Sequence, residues 1–207
     1  MNSTDVRPID APYASPASDR NSTYNMTIRK ATEKDTEYVA KTVLTALDMD
    51  TSDLEWVMAS CADPKSMYSW NKALIAESDG LPIGCIISYR GDDYLPIREY
   101  TWSRLWKGVD PEVIRKSAIE TYPGEYYLDS LAIEAEYRGH GLGKELMRAA
   151  MDYGASLGYR KFALLVAIEK PRLKDYYASL GFQEVGEVNF FGHQYHRLVK
   201  TIKTPKS

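Results

Sequence analysis

Residues Arg138-Gly139-His140-Gly141-Leu142-Gly143-Lys144 decide how this chain is read. An apolar, strand-like run, Tyr126-Tyr127-Leu128-Asp129-Ser130-Leu131-Ala132-Ile133, comes before them, and an amphipathic stretch from Leu142 to Leu157 follows. That order predicts a strand, a tight glycine turn and a helix N-terminus. Glycines let the backbone turn sharply and come close to a ligand, so successive N–H groups can converge on one point. The first N–H groups of a helix lack internal partners, and the helix dipole adds partial positive charge there. Phosphate or pyrophosphate is the expected ligand. Without one, the stretch is only a glycine-rich connection.

Spacing narrows the choice. A nucleoside-triphosphate loop needs a Gly five residues before its Gly-Lys and then Ser or Thr, but Arg138 and Glu145 stand at those places. The dinucleotide pattern G-x-G-x-x-G fails as well, because Lys144 follows Gly139 and Gly141 where the third Gly belongs.

Arg138, Gly141 and Gly143 instead fit Arg/Gln-x-x-Gly-x-Gly/Ala. In this setting the stretch resembles the pyrophosphate loop of the GNAT family of acyl-CoA-dependent N-acetyltransferases. Leu131-Ala132-Ile133 running into Glu136-Tyr137-Arg138-Gly139 is similar to the end of that family's fourth strand. About forty residues on, Tyr176-Tyr177-Ala178-Ser179-Leu180-Gly181-Phe182 resembles its second motif, a helix ending in Tyr-x-x-x-Gly-Phe. The likeness covers roughly Met26 to Lys200.

The resemblance implies an α+β, GNAT-like acyl-CoA N-acyltransferase fold, with a central mixed, mostly antiparallel sheet and helices on both faces. It also implies acetyl-CoA as cosubstrate, no metal, and an amine as acceptor. Cofactor contacts are expected from Leu131, Ala132 and Ile133, from the loop Arg138, Gly139, His140, Gly141, Leu142, Gly143 and Lys144, and from Tyr177. Leu131 and Ile133 would engage the pantetheine arm through backbone groups. Many relatives carry Asn seven residues before the donor Tyr, where this chain has Lys170. That polar contact is then missing, and Lys170 is expected to meet a phosphate instead. Arg172 and Lys174 read equally well as phosphate contacts or as a solvated helix face.

The chain has 207 residues, 44% hydrophobic and 27% charged, enough to bury a core. A net charge of −3 leaves no cationic excess for a general nucleic-acid binder. No apolar run approaches the roughly 20 residues needed to span a bilayer. Cys61 and Cys85 lack metal-ligand spacing and read as reduced core residues, which fits a cytoplasmic setting. Residues 1–25, rich in Ser, Asp, Asn and Pro and without the apolar core of a secretory signal, are expected to form a disordered leader. Residues 26–207 are expected to form one acetyltransferase domain. The partners expected are a small amine or a peptide, with neither nucleic acid nor membrane. A homodimer is compatible with the sequence.

The elements read in order as a strand from Met26 and a helix opened by Thr32-Glu33-Lys34-Asp35, with Val39, Val43, Ala46 and Leu47 inward. A helix over Ser52–Ala62 follows, then strands Lys72–Glu77 and Ile83–Tyr89 joined by a turn. Helices are expected near Ile97–Trp106 and Pro111–Ile119, inside a long segment that could lie against the substrate. Then come strand Glu125–Ile133, helix Leu142–Leu157, strand Lys161–Ala167, helix Pro171–Leu180, and strands near Phe182–Val188 and Tyr195–Thr201. The strands flanking the glycine loop and its helix should be parallel, with a right-handed crossover.

Acetyl transfer needs a neutral amine, yet an alkyl ammonium has a pKa of about 10.4. A base must take its proton, the leaving thiolate benefits from a donor, and the carbonyl oxygen needs an N–H. The resemblance makes Tyr177 the general acid. Tyr176, about 100° round the helix, is the weaker candidate. Asp129, an acid within an apolar strand, is the first candidate base, because desolvation would raise its pKa toward neutrality. Strict strand alternation would put it on one face with Leu131 and Ile133. Glu99, Glu125, Glu134 and His193 are weaker candidates, and His140 is read as contributing its backbone N–H. Asp48, Asp50, Asp53 and Glu55 could attract a cationic amine or be ordinary surface charge. Two other readings stay open: a non-catalytic acyl-CoA-binding module, and acetylation of a protein N-terminus or lysine.

Overall fold

The computed structural model describes residues 26–105, 110–190 and 192–203. The leader expected over residues 1–25 lies outside them. Seven strands, β1 (Met26–Lys30), β2 (Ala73–Ser78), β3 (Leu81–Arg90), β4 (Glu125–Ile133), β5 (Lys161–Ala167), β6 (Gln183–Phe190) and β7 (His193–Thr201), form one sheet in the order β1-β2-β3-β4-β5-β7-β6. Every neighbouring pair is antiparallel except β4 and β5. The helices are α1 (Thr36–Ala46), α2 (Leu54–Ala62), α3 (Tyr94–Leu105), α4 (Pro111–Lys116), α5 (Leu142–Ser156) and α6 (Pro171–Ser179).

The helices cover both faces of the sheet. One core cluster joins Val39, Val43, Val57, Cys61 and Trp102 of α1, α2 and α3 to Ile75, Cys85, Ile87, Tyr89, Tyr127 and Ala163 of the strands. The other joins Leu142, Leu146, Ala150 and Tyr177 of α5 and α6 to Leu74, Ile86, Leu128, Phe162 and Leu164. Alternation along the strands sends successive side chains to the two faces, so apolar helices pack on each.

Local chemistry sets several boundaries. Asp79 and Gly80 both have positive φ, 51° and 79°, the backbone of a two-residue hairpin turn matching the right-handed strand twist. Asp110 caps α4 by accepting from the Glu112 N–H at 2.8 Å, with Pro111 at the first helical position. Asp35 accepts from the Thr32 N–H at 2.7 Å and pairs with Arg29 at 2.8 Å, tying the start of α1 to β1. The first helical face is shifted from the expected one: Leu44 is buried and Leu47 exposed, because α1 ends at Ala46. The segment after β3 also differs, since α3 begins at Tyr94 and α4 stops at Lys116, after which Ser117 is extended.

Two features of β4 place the site. First, β4 and β5 pair only at Glu125–Lys161, Tyr126–Phe162 and Tyr127–Ala163, and then separate. Second, Ile86 faces Leu131 while Ser88 faces Leu128, so Asp129 and Ser130 together stand opposite Ile87. This is a β-bulge, which bends the strand and re-aims its side chains. It overturns the expected alternation. Asp129 lies on the α1 face with Tyr127, whereas Leu131 and Ile133 cross to the α5 face.

Candidate active site

The glycine loop builds the first part of the site. Gly139 and Gly141 both have φ of 81°, a left-handed conformation that L side chains rarely adopt. A Cβ at either would meet nothing within 4 Å, so backbone conformation requires glycine there and the space over the loop is open. Arg138 donates from Nε to the Ile133 carbonyl at 2.9 Å, bracing the loop against the end of β4. His140 and Lys144 are exposed, and Gly141 is the N-cap of α5. Beyond Tyr127 the β5-facing edge of β4, including Leu131, Ala132 and Ile133, has no strand partner among the described residues. An open loop of left-handed glycines, a fifteen-residue helix behind it and a free strand edge fit a pyrophosphate with an extended amide-bearing arm. Lys170 caps α6 and is exposed, a position open to phosphate.

Tyr177 is buried on the α5 face, its ring 5.4 Å from Tyr176 and 6.0 Å from Phe182. Burial, with Tyr176 beside it, pushes the phenol up to about 12. Tyr176 does not simply point away. Its hydroxyl lies 3.6 Å from where a Gly143 Cβ would stand, which in turn would lie 3.8 Å from Leu131 Cδ2, so Tyr176 approaches the start of α5 beside the end of β4.

On the α1 face stands Asp129, two residues past the last β4–β5 pair and half-buried. It accepts from Tyr89 Oη at 2.6 Å and from Ser130 Oγ at 2.9 Å. Desolvation raises its pKa, against the opposing pull of those two hydroxyls. A second carboxylate, Glu120, lies beside it and was not a sequence candidate. Glu120 accepts from Tyr94 Oη at 2.7 Å and Tyr127 Oη at 2.8 Å. Its pKa is also raised, by desolvation first and then by the charge of Asp129. Tyr89 and Tyr127 are cross-strand partners with ring centroids 5.6 Å apart, so the two carboxylates hang from neighbouring tyrosines on one face.

Neither carboxylate has an ion-pair partner among the described residues. The other buried acids do: Asp35 has Arg29, and Glu125 has Arg197. A charged group taken from water without a counter-ion is costly, so this pair awaits a cation or holds a proton.

The weaker candidates have other roles. Glu125 is locked to Arg197, Glu99 pairs with Arg115 at 3.2 Å on the surface, and His193 is exposed. Glu134 is exposed at the start of the loop, its N–H bonded to the Ile83 carbonyl at 3.0 Å. Asp50 caps a turn through the Ser52 N–H, and Asp53 accepts from Trp56 Nε1. Lys174 pairs with Glu184 at 2.6 Å, and Arg172 is exposed. Cys61 and Cys85 are buried and unpaired, their thiols pushed up to about 12, which leaves them unreactive. Glu184 and Glu187, both exposed, and the half-buried His196 form a cluster with ligand atoms within 4.8 Å of one another, remote from the glycine loop in sequence. Among the described residues no helix is long and apolar enough to cross a membrane.

No curated protein sequence matches the chain. Solved structures do. An N-acetyltransferase from Staphylococcus aureus Mu50 is 24% identical with a TM-score of 0.70, over 84% of this chain and 99% of that one. An acetyltransferase at 25% identity has a TM-score of 0.67, over 85% and 99%. The NatC complex bound to Gag peptide and CoA contains a chain at 15% identity, with a TM-score of 0.55 over 86% and 99%. The acetyltransferase (GNAT) family model matches residues 43–182, two-thirds of the chain and both motifs, and the chain belongs to that family.

Proposed function

We propose that the protein moves an acetyl group from acetyl-CoA directly to a primary amine, within residues 26–207 acting as one cytoplasmic domain. The observation that carries this reading is Asp129, a carboxylate with no ion-pair partner among the described residues, at the place where β4 and β5 part. The glycine loop and the free edge of β4 hold the acyl-CoA on the α5 face. The acceptor enters from the α1 face, and the gap between the strands joins the two.

Asp129 takes the proton that an alkyl ammonium must lose. Its raised pKa suits it to this, since a base works best when its pKa lies near the working pH. Tyr177 acts as general acid. With a phenol near 12 it stays protonated through the physiological range, and it hydrogen-bonds to the sulfur as negative charge develops there. A backbone N–H near Ile133 serves the carbonyl oxygen.

Thiol release from acetyl-CoA is the test, measured across amines, polyamines, amino acids and peptides, with thermal stabilisation by CoA alongside. Turnover with at least one amine is expected. Stabilisation by CoA without turnover across the panel would make the protein a binding module, and turnover with peptides alone would move the acceptor to a protein terminus or lysine.

A further inference from the structure

Resting on that reading, we propose that Glu120 is a second catalytic carboxylate, Asp129 taking the first proton from the acceptor nitrogen and Glu120 the second. The stoichiometry calls for two acceptors. Asp129 removes one proton from the ammonium, and the freed lone pair forms the C–N bond while the carbonyl π pair moves to oxygen. Glu120 removes the second proton from nitrogen as that oxygen pair returns and the C–S bond breaks. The sulfur takes the bonding pair and one proton, through Tyr177, which recovers its own from solvent. Two protons leave nitrogen and one reaches sulfur, so one net proton is released when the carboxylates reset. A single buried carboxylate would have to discharge its proton to solvent between the two transfers.

The architecture holds Glu120 for such a role. Arg98 of α3 donates to the Ile114 carbonyl at 3.0 Å and the Ala118 carbonyl at 3.0 Å. Arg197 of β7 donates to the Glu120 carbonyl oxygen at 3.2 Å. Both arginines thus anchor the backbone that carries Glu120 and leave its carboxylate unpaired. Among the described residues that carboxylate accepts hydrogen bonds from the hydroxyls of Tyr94 and Tyr127, with the charge of Arg98 acting on it from further off. Around the pair, Tyr68, Tyr89, Tyr94 and Tyr127 are all pushed well above the ordinary phenol range, by desolvation first. Tyr195 of β7 is raised as well. These phenols therefore stay neutral while the carboxylates titrate, with Arg98 and Arg197 as the fixed nearby cations.

The experiment measures steady-state turnover of an accepted amine from pH 5 to 9 in wild type, Glu120→Gln, Asp129→Asn and the double variant. Glu120→Gln should lower kcat at least tenfold with CoA affinity unchanged. Its remaining acid limb should move to lower pH, because Glu120, which the charge of Asp129 raises further, no longer has to ionise and Asp129 alone sets the limb. Wild-type kcat with an unmoved limb, or a rise in amine KM alone, would overturn the proposal. Should Glu120→Gln fail to fold, Tyr94→Phe and Tyr127→Phe each remove one hydrogen bond that favours the ionised form. The acid limb must then move to higher pH, and a stationary limb overturns the proposal equally. Loss of rate in Asp129→Asn but not in Glu120→Gln defeats this inference alone, whereas a wild-type protein inert toward every amine defeats the acetyltransferase reading beneath it.

Discussion

Gly141 allows the phosphate-loop assignment to be separated from ordinary backbone strain. At φ of 81° a Val must adopt a left-handed conformation costing about 1–2 kcal/mol, yet its Cβ would meet no atom within 4 Å. The protein itself therefore leaves open space at the Cβ position, and a loss of CoA affinity beyond the backbone strain points to a ligand over the loop. Gly158, just beyond α5, provides the control: its φ is 98°, and a Cβ there also meets nothing within 4 Å. Both Gly141→Val and Gly158→Val should lose about 1–2 kcal/mol of stability by urea denaturation. Only Gly141→Val should weaken CoA binding by calorimetry, by tenfold or more, roughly 1.4 kcal/mol. Wild-type CoA affinity in a folded Gly141→Val protein would remove the pyrophosphate from this loop. Equal losses would show that the effect is global strain.

Tyr177→Phe removes one hydroxyl from a buried ring, so CoA affinity should hold while turnover in the thiol-release assay falls about 10²-fold. Tyr176→Phe serves as comparison and should retain most of its rate; the reverse ranking would make Tyr176 the donor. Asp129→Asn should raise the thermal midpoint of the unliganded protein at pH 8. A carboxylate whose folded pKa is raised favours the protonated state and loses stability as pH rises, and the amide abolishes that loss. The Arg29 hydrogen bond holds Asp35 down at about 2, so its contribution is present above the unfolded carboxylate value and disappears between about pH 4 and pH 2. Unfolding free energies from urea titrations over that window should fall by on the order of 1–2 kcal/mol in wild type and not in Asp35→Asn.

Much of the fold was legible because its signals are local. The strand Glu125–Ile133 and the strand Lys161–Ala167 fall on their predicted bounds, and α5 differs by one residue. Apolar periodicity and glycine punctuation need no partner to be read. The glycine loop is local in the same sense, whereas the role expected of Tyr177 came from the resemblance of its helix to a family motif. The bulge at Asp129 could not be read, because it exists only relative to Ile87 across the sheet. Glu120 was missed for a related reason. It sits in a nonrepetitive stretch after α4, and its place is fixed by groups distant in sequence, Arg98 from α3 and Arg197 from β7. No local pattern marks a carboxylate that matters because it lacks a cation. Leu47 misled in the opposite direction: its spacing suits the buried stripe, but the helix ends one residue before it.

The parting of β4 and β5 also divides the molecule mechanically. Among the described residues three ladder pairs and the buried Glu125–Arg197 contact join the strands β1-β2-β3-β4 to β5-β7-β6, and the rest of the junction is side-chain packing in the two cores. An extended molecule laid along the free edge of β4 would act as a missing rung between these two sets of strands. Amide hydrogens of β4 beyond Tyr127 should therefore exchange faster than those of β3 in the unliganded protein, and slow sharply when CoA is added. In this view the cosubstrate is a structural brace as well as a reactant, and the enzyme is stiffest at the moment it is loaded.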